Sequence, residues 1–309
     1  MTDADAAVTA PAAVATWPAE EILVHHRPAW YLRPGRLRCA VGGTLITLVL
    51  IAAALAPLVA PAPPGAQDLV RRLTPPAWMP GGSAANLLGT DHLGRDILSR
   101  VLHGARVSVL VGVIALLVSG VIGTALGLLA GFYGARVDLV IMKLVEVFLT
   151  IPFVLLALVV MALFGQSLVI LIAVICLNRW IHYCRVIRSE VLSLRERDFV
   201  AGARALGVSH PRILVRHILP NTVASLSVIS TFSLATIILI EASLSFLGLG
   251  VPPSIPTWGS MLNEARPYMH PSWWTSVFPG LAIFVTVLGV NLLGDGVRDA
   301  YDPRLRRSQ

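Results

Sequence analysis

Charge is scarce in this chain. Only 13% of its 309 residues are Asp, Glu, Lys or Arg, about half the share typical of a soluble domain, which argues against a water-soluble enzyme. Lysine is nearly missing, with Lys143 standing alone beside 23 arginines. Cysteine is rare too: Cys39, Cys176 and Cys184 are the whole complement. The last two lie roughly 12 Å apart by helical rise on one helix, too far to bridge, so no disulfide and no metal cluster is expected. The HExxH zinc helix, the GxSxG elbow and the Walker A loop are all absent. No Asp pair or Ser/His dyad stands inside the apolar runs, as an intramembrane protease needs. His25 and His26 fall in a polar tail, and His92 reads as a loop residue. No catalytic residue, cofactor or metal is expected in this chain.

Apolar sequence is abundant, at 56% hydrophobic residues and a mean hydropathy of +0.76. That content excludes disorder. A net charge of +7 suits either a nucleic-acid binder or a membrane protein with basic loops on one face, and its distribution selects the second. Uncharged runs long enough to cross a bilayer, about 20 residues, cover 41–60 and 107–135. The stretch 139–180 is too long for one helix, and Phe164-Gly165-Gln166-Ser167 offers a turn, so it reads as a hairpin of two spans, the first kinked at Pro152. Runs at 218–240 and 274–293 complete six transmembrane helices in an all-α membrane protein.

Placing both termini in the cytoplasm puts 18 of the 24 basic residues inside, as the positive-inside rule requires. The expected organisation is a cytoplasmic tail over 1–36, a six-helix domain over 37–297 and a cytoplasmic tail over 298–309. Within the domain, outer loops cover 61–104 and 251–273, and a cytoplasmic loop covers 186–220. The first span is read as retained, because some 39 residues precede it and no signal-peptide pattern fits.

Several positions stand out. Ala115, Ser119, Gly123, Gly127 and Gly131 form a small-residue stripe that permits close helix approach, either inside the subunit or against another. Glu146 and Glu241 are ionisable groups in or beside spans, and Glu241 is the candidate for a transport path. Asn178 and His182 read as helix contacts. Outside, Asp91, Arg95 and Asp96 pair with one another and fix the long loop. Trp258, Trp273 and Trp274 suit a lip at headgroup level, and Asp295, Arg298, Asp299 and Asp302 a charge-paired helix end.

The cytoplasmic loop is longer than a simple connection requires. Arg195-Glu196-Arg197-Asp198-Phe199-Val200-Ala201-Gly202-Ala203-Arg204-Ala205-Leu206 is helical in pattern, with Phe199, Ala203 and Leu206 on one face, and Gly207 stops it. Ser209 caps a second short helix with Pro211 in its first turn, ahead of His217 and Leu219-Pro220. Such a basic helix pair suits insertion into a groove on a soluble partner better than a collar on lipid headgroups.

This loop resembles the coupling loop of binding-protein-dependent ABC importer permeases, whose motif runs EAA, three residues, Gly, nine residues, Ile-x-Leu-Pro. Gly207 matches the glycine, His217 the isoleucine position, and Leu219-Pro220 the end, while Ala201-Gly202-Ala203 replaces Glu-Ala-Ala. Leu88-Gly89-Thr90-Asp91-His92-Leu93-Gly94-Arg95-Asp96 resembles the entry to the second span in dipeptide, oligopeptide and nickel permeases. Ser245-Phe246-Leu247-Gly248-Leu249-Gly250-Val251-Pro252-Pro253, and the ending from Asn291 to Pro303, resemble the C-type subunit of that branch.

The resemblance implies a type I importer permease of the bacterial cytoplasmic membrane. It implies a homologous B-type permease, two ABC ATPase subunits that bind ATP and Mg, an extracytoplasmic substrate-binding protein and surrounding lipid as partners, with di- or oligopeptides as cargo. Glu196, Arg197, Phe199, Ala201, Ala203, Arg204, Gly207, His217, Leu219 and Pro220 would form the ATPase-coupling surface, and Asp91, Gly94, Arg95 and Asp96 an outer motif. The alternative is a stand-alone secondary transporter or channel, which needs its own mid-membrane carboxylate, with Glu241 the one candidate.

Overall fold

The structure, a computed structural model, describes residues 34–301. The rest of both tails, Asp302 included, lies outside the described residues. Apart from one bridge between Thr90 and Asp96, regular structure among them is helical. Five helical runs are long and apolar enough to cross a membrane alone. They are α1 (Pro34–Val59), α2 (Ile97–Tyr133), α5 (Leu168–Leu194), the continuous run of α7 (His210–Ile213) into α8 (Leu219–Phe246), and α10 (Trp274–Tyr301).

The sixth expected span is a broken pair. Helix α3 (Ala135–Thr150) and α4 (Phe153–Phe164) meet at 86°, so Pro152 produces a right-angle corner where the sequence pointed to a kink. Proline cannot donate to the preceding turn, and Ile151 before it is pushed into extended backbone, at φ −85° and ψ 119°. With 12 residues, α4 is about 18 Å long, shorter than a bilayer core. The 37-residue α2 reaches about 55 Å, so its first turns project beyond the membrane.

The small-residue stripe resolves into internal packing, because all five residues are buried and α2 packs most extensively on α5. A methyl group at Gly127 would lie 2.7 Å from the Cys184 carbonyl, and one at Gly131 would lie 2.7 Å from Val191 Cβ. Without a hydrophobic driving force between helices in lipid, such backbone approach is what holds them. Gly127→Ala should cost about 1–3 kcal/mol by overpacking and lower the detergent melting temperature. An unchanged melting curve would show that α2 and α5 do not meet this closely.

Around this pair, α8 packs on α2 and α5, and α10 joins α8 to α1. Asp299 near the end of α10 pairs with Arg38 of α1 at 3.5 Å, so that charged end is tied to a neighbouring helix. Lys143 and Glu146 pair with each other on an exposed face of α3.

Candidate functional site

The cytoplasmic loop is shorter than expected, since α5 runs on to Leu194. Helix α6 (Asp198–Ala205) follows, and Gly207 adopts φ +73°. Its N–H donates to the Arg204 carbonyl and that of Val208 to the Ala203 carbonyl, the two bonds of a Schellman stop. Ser209 then starts α7, with Pro211 in its first turn but no side-chain cap bond. Pro220 lacks the N–H that continues a helix. Just before it the backbone widens into a π turn over Leu214–Ile218, and this turn carries His217.

The buried face of α6 is rotated from the expected one. Val200 and Ala203 pack with Ile187, Val191, Leu194, Ile213 and Phe132, while Phe199 and Leu206 are exposed, Leu206 at 85%. The pair is fastened to the membrane helices on several sides. The Arg204 guanidinium lies 5.3 Å above the Phe132 ring, and His210 meets Phe132 and Tyr133 edge-on. Arg195 Nη1 donates to the Gly131 carbonyl at 3.0 Å, satisfying a free carbonyl at the end of α2. Arg188 pairs with Asp138 of α3, and Ser225 donates to Glu190 at 2.9 Å. Glu196, Arg197, Ala201 and Pro220 stay exposed, Leu219 half-buried. The geometry is a rigid two-helix foot whose free face carries basic and apolar side chains.

On the opposite side the outer motif forms an ion cluster larger than the sequence suggested. Asp91 Oδ2 accepts from Arg95 Nε and from Arg100 Nη1, both at 2.6 Å. Glu264 of α9 (Trp258–Ala265) accepts from the same two arginines. Arg100 and Glu264 are the members that sequence reading missed: Glu264 lies more than 160 positions from both arginines, and Arg100 reaches Asp91 from nine positions on, inside α2. Burial raises the Asp91 carboxyl, but Arg100 and Arg95, helped by the N–H groups of Arg95 and Leu93, hold it below its ordinary value. Asp96 serves α2 instead, accepting from the Ser99 N–H and hydroxyl at 2.8 Å as an N-cap. Gly94, at φ +73°, turns the loop where a side chain would collide with the Asp68 carbonyl.

Asp91, His92 and Glu264 offer ligand atoms within 4.8 Å of one another, but both carboxylates already answer two guanidiniums, and a cation would have to displace them. His92 stacks on Tyr268 at 5.4 Å, and burial lowers its pKa. The tryptophans depart from the expected lip. Trp258 is buried and donates to the Val101 carbonyl at 3.0 Å, and Trp274 is buried and donates to that of Thr90 at 3.2 Å. Only Trp273 of the three is exposed.

Glu241 is fully buried, accepting from Ser108 at 2.9 Å and Ser245 at 2.8 Å. Its bond to Ser108 ties α2 to α8. A cavity of about 430 Å³ opens elsewhere, between α5 and α8, lined by Arg179, His182, Arg185, Phe232, Ser233 and Thr236 among others. The sequence reading put Arg179 near the end of a span and His182 among helix contacts. Because α5 continues to Leu194, both lie near its middle, and the available signal was the three-residue spacing of Arg179, His182 and Arg185.

The described residues form a helical bundle with runs long and apolar enough to cross a membrane, a fastened helix pair at one end and a clamped loop at the other. The model of the family described as binding-protein-dependent transport system inner membrane component matches residues 123–307, and the chain belongs to that family. It is 44% identical to the di/tripeptide transport system permease protein DppC of Pseudomonas aeruginosa, over 87% of this chain and 89% of that protein. With the dipeptide permease DppC of Escherichia coli it shares 42% identity over 90% of this chain and 93% of that one. The glutathione transport system permease protein GsiD of Pectobacterium atrosepticum is 44% identical over 73% and 75% respectively. Among solved structures, the inward-facing MetNI methionine ABC transporter aligns with a TM-score of 0.52 at 18% identity, covering 65% of this chain and 95% of that one. The fold is shared. This chain is therefore a permease subunit of an ABC importer, working with ATP-binding subunits and a permease partner.

Proposed function

We propose that this chain is the C-type half of a permease pair that imports di- or oligopeptides across a bacterial cytoplasmic membrane. A homologous B-type permease forms the pathway with it, two ATPase subunits bind ATP and Mg below, and an extracytoplasmic binding protein delivers cargo to the outer face. The observation that carries this reading is the foot: Phe199 and Leu206 point away from the chain's own core while Val200, Ala203 and Phe132 fasten the same helices to it. An apolar face held rigid and left uncovered suits a groove in a moving ATPase, and closure of the ATPases would rock the bundle as a body. The peptide cargo is supported by the names of the relatives.

A stand-alone secondary transporter is less well supported, because Glu241 is committed to Ser108 and Ser245. Co-expression with a B-type permease, ATPase subunits and a binding protein, purification and reconstitution into liposomes test the proposal. ATP-dependent accumulation of a labelled dipeptide is the expected result; accumulation by this chain alone without ATP would overturn it.

A further inference from the structure

Near the middle of α5, Arg179 is 8% exposed, yet none of the acids among the described residues pairs with it. Its Nη2 reaches Ser233 Oγ only at 3.5 Å, and its Nε has no partner. A charged side chain at that depth is costly in lipid and faces either water or another polar group. Here it lines the 430 Å³ cavity, a size within the usual range of small-molecule sites. His182 and Arg185 follow at three-residue spacing on the same wall, stepping about 4.5 Å each toward the cytoplasmic end. The facing wall of α8 supplies the Ser233 and Thr236 hydroxyls beside Phe232. Cations and hydroxyls next to an aromatic surface suit a carboxylate carried on a partly apolar body, and guanidinium binds carboxylate with two parallel hydrogen bonds.

We propose that Arg179, followed by His182 and Arg185, forms a carboxylate-holding track in the translocation pathway, engaging the terminal carboxylate of the transported peptide. The inference rests on the peptide-importer reading above. A lipid phosphate belongs at the bilayer surface, about 15 Å from its centre, the wrong depth for Arg179. An acid from the partner permease is the other occupant to consider, but one side chain fills little of such a cavity and leaves Arg185 unanswered.

The test uses the complete importer in lipid nanodiscs, nucleotide-free and without binding protein, titrated with dialanine and with dialanine amide. Dialanine should bind at least tenfold more tightly than its amide; Arg179→Gln should erase the difference and Arg179→Lys should keep part of it. Arg185→Gln, at an exposed position, should shrink the preference about threefold and serves if the Arg179 variants do not accumulate in the membrane. Equal binding of acid and amide, binding of neither, or an unchanged preference in Arg179→Gln or Arg185→Gln overturns the track. Separation of the permease pair on gel filtration in Arg179→Gln alone overturns it too, assigning the arginine to a partner acid. Absence of ATP-driven dipeptide uptake by the wild-type complex is a separate failure, that of the importer reading itself.

Discussion

Gly207→Pro should abolish substrate-stimulated ATP hydrolysis and uptake, by tenfold or more, while the chain still inserts and pairs with its partner permease. Proline holds φ near −65°, whereas Gly207 sits at +73°. It also lacks the N–H that donates to the Arg204 carbonyl. The Schellman stop cannot form, and α6 loses its fixed angle to α7. No atom outside its chain neighbours lies within 4 Å of the position where a side chain would start, so the damage is conformational and confined to the foot. Gly207→Ala separates the two effects: it keeps the N–H and carries only the left-handed cost of roughly 1–2 kcal/mol, so coupling should be weakened and not lost. ATPase assays on both variants in the reconstituted complex check this; full activity in Gly207→Pro would mean that the helix pair does not transmit motion.

Asp91→Asn should be the most damaging change on the outer face. It leaves the buried guanidiniums of Arg95 and Arg100 sharing Glu264 alone, and removing one member of a buried ion set typically costs about 3–5 kcal/mol. Loop 61–96 should then become sensitive to protease from the outside, and the detergent melting temperature should fall. The double variant Asp91→Asn with Arg95→Met should be less damaged than the single change, because it removes an uncompensated charge along with its partner. The pH dependence has a definite sign. The folded state lowers the Asp91 pKa below its ordinary 3.8, so its stabilisation is fully present above that value and is lost as pH falls through the lower folded one. Wild type should therefore lose stability in acid more steeply than Asp91→Asn. Parallel acid-melting curves for the two would show that the cluster does not anchor the loop.

Sequence alone located the five unbroken spans, because a charge-free run of sufficient length has few alternatives in a bilayer. It also located the stop at Gly207 and the start of α7, which depend on local backbone chemistry. The parts it missed depend on distant partners. Pro152 announces a bend, but the 86° angle is set by what α3 and α4 pack against. The face that α6 buries is chosen by Ile187, Val191 and Phe132, and the apolar pattern of a short helix cannot tell a face that meets its own chain from one that meets another. Trp258 and Trp274 were placed at the headgroups by residue type, whereas carbonyls of Val101 and Thr90 draw their indole N–H groups inward. Arg179 was misplaced in depth because nothing in the local composition shows that α5 continues beyond the bilayer to Leu194.

The most direct measurement places a photo-crosslinking amino acid at position 206, the most exposed apolar site on the foot, in the co-expressed importer. Irradiation should join this chain to an ATPase subunit, with a yield that changes when ATP is added. Crosslinks to lipid alone, with the ATPase never captured in any nucleotide state, would contradict the coupling role of the foot.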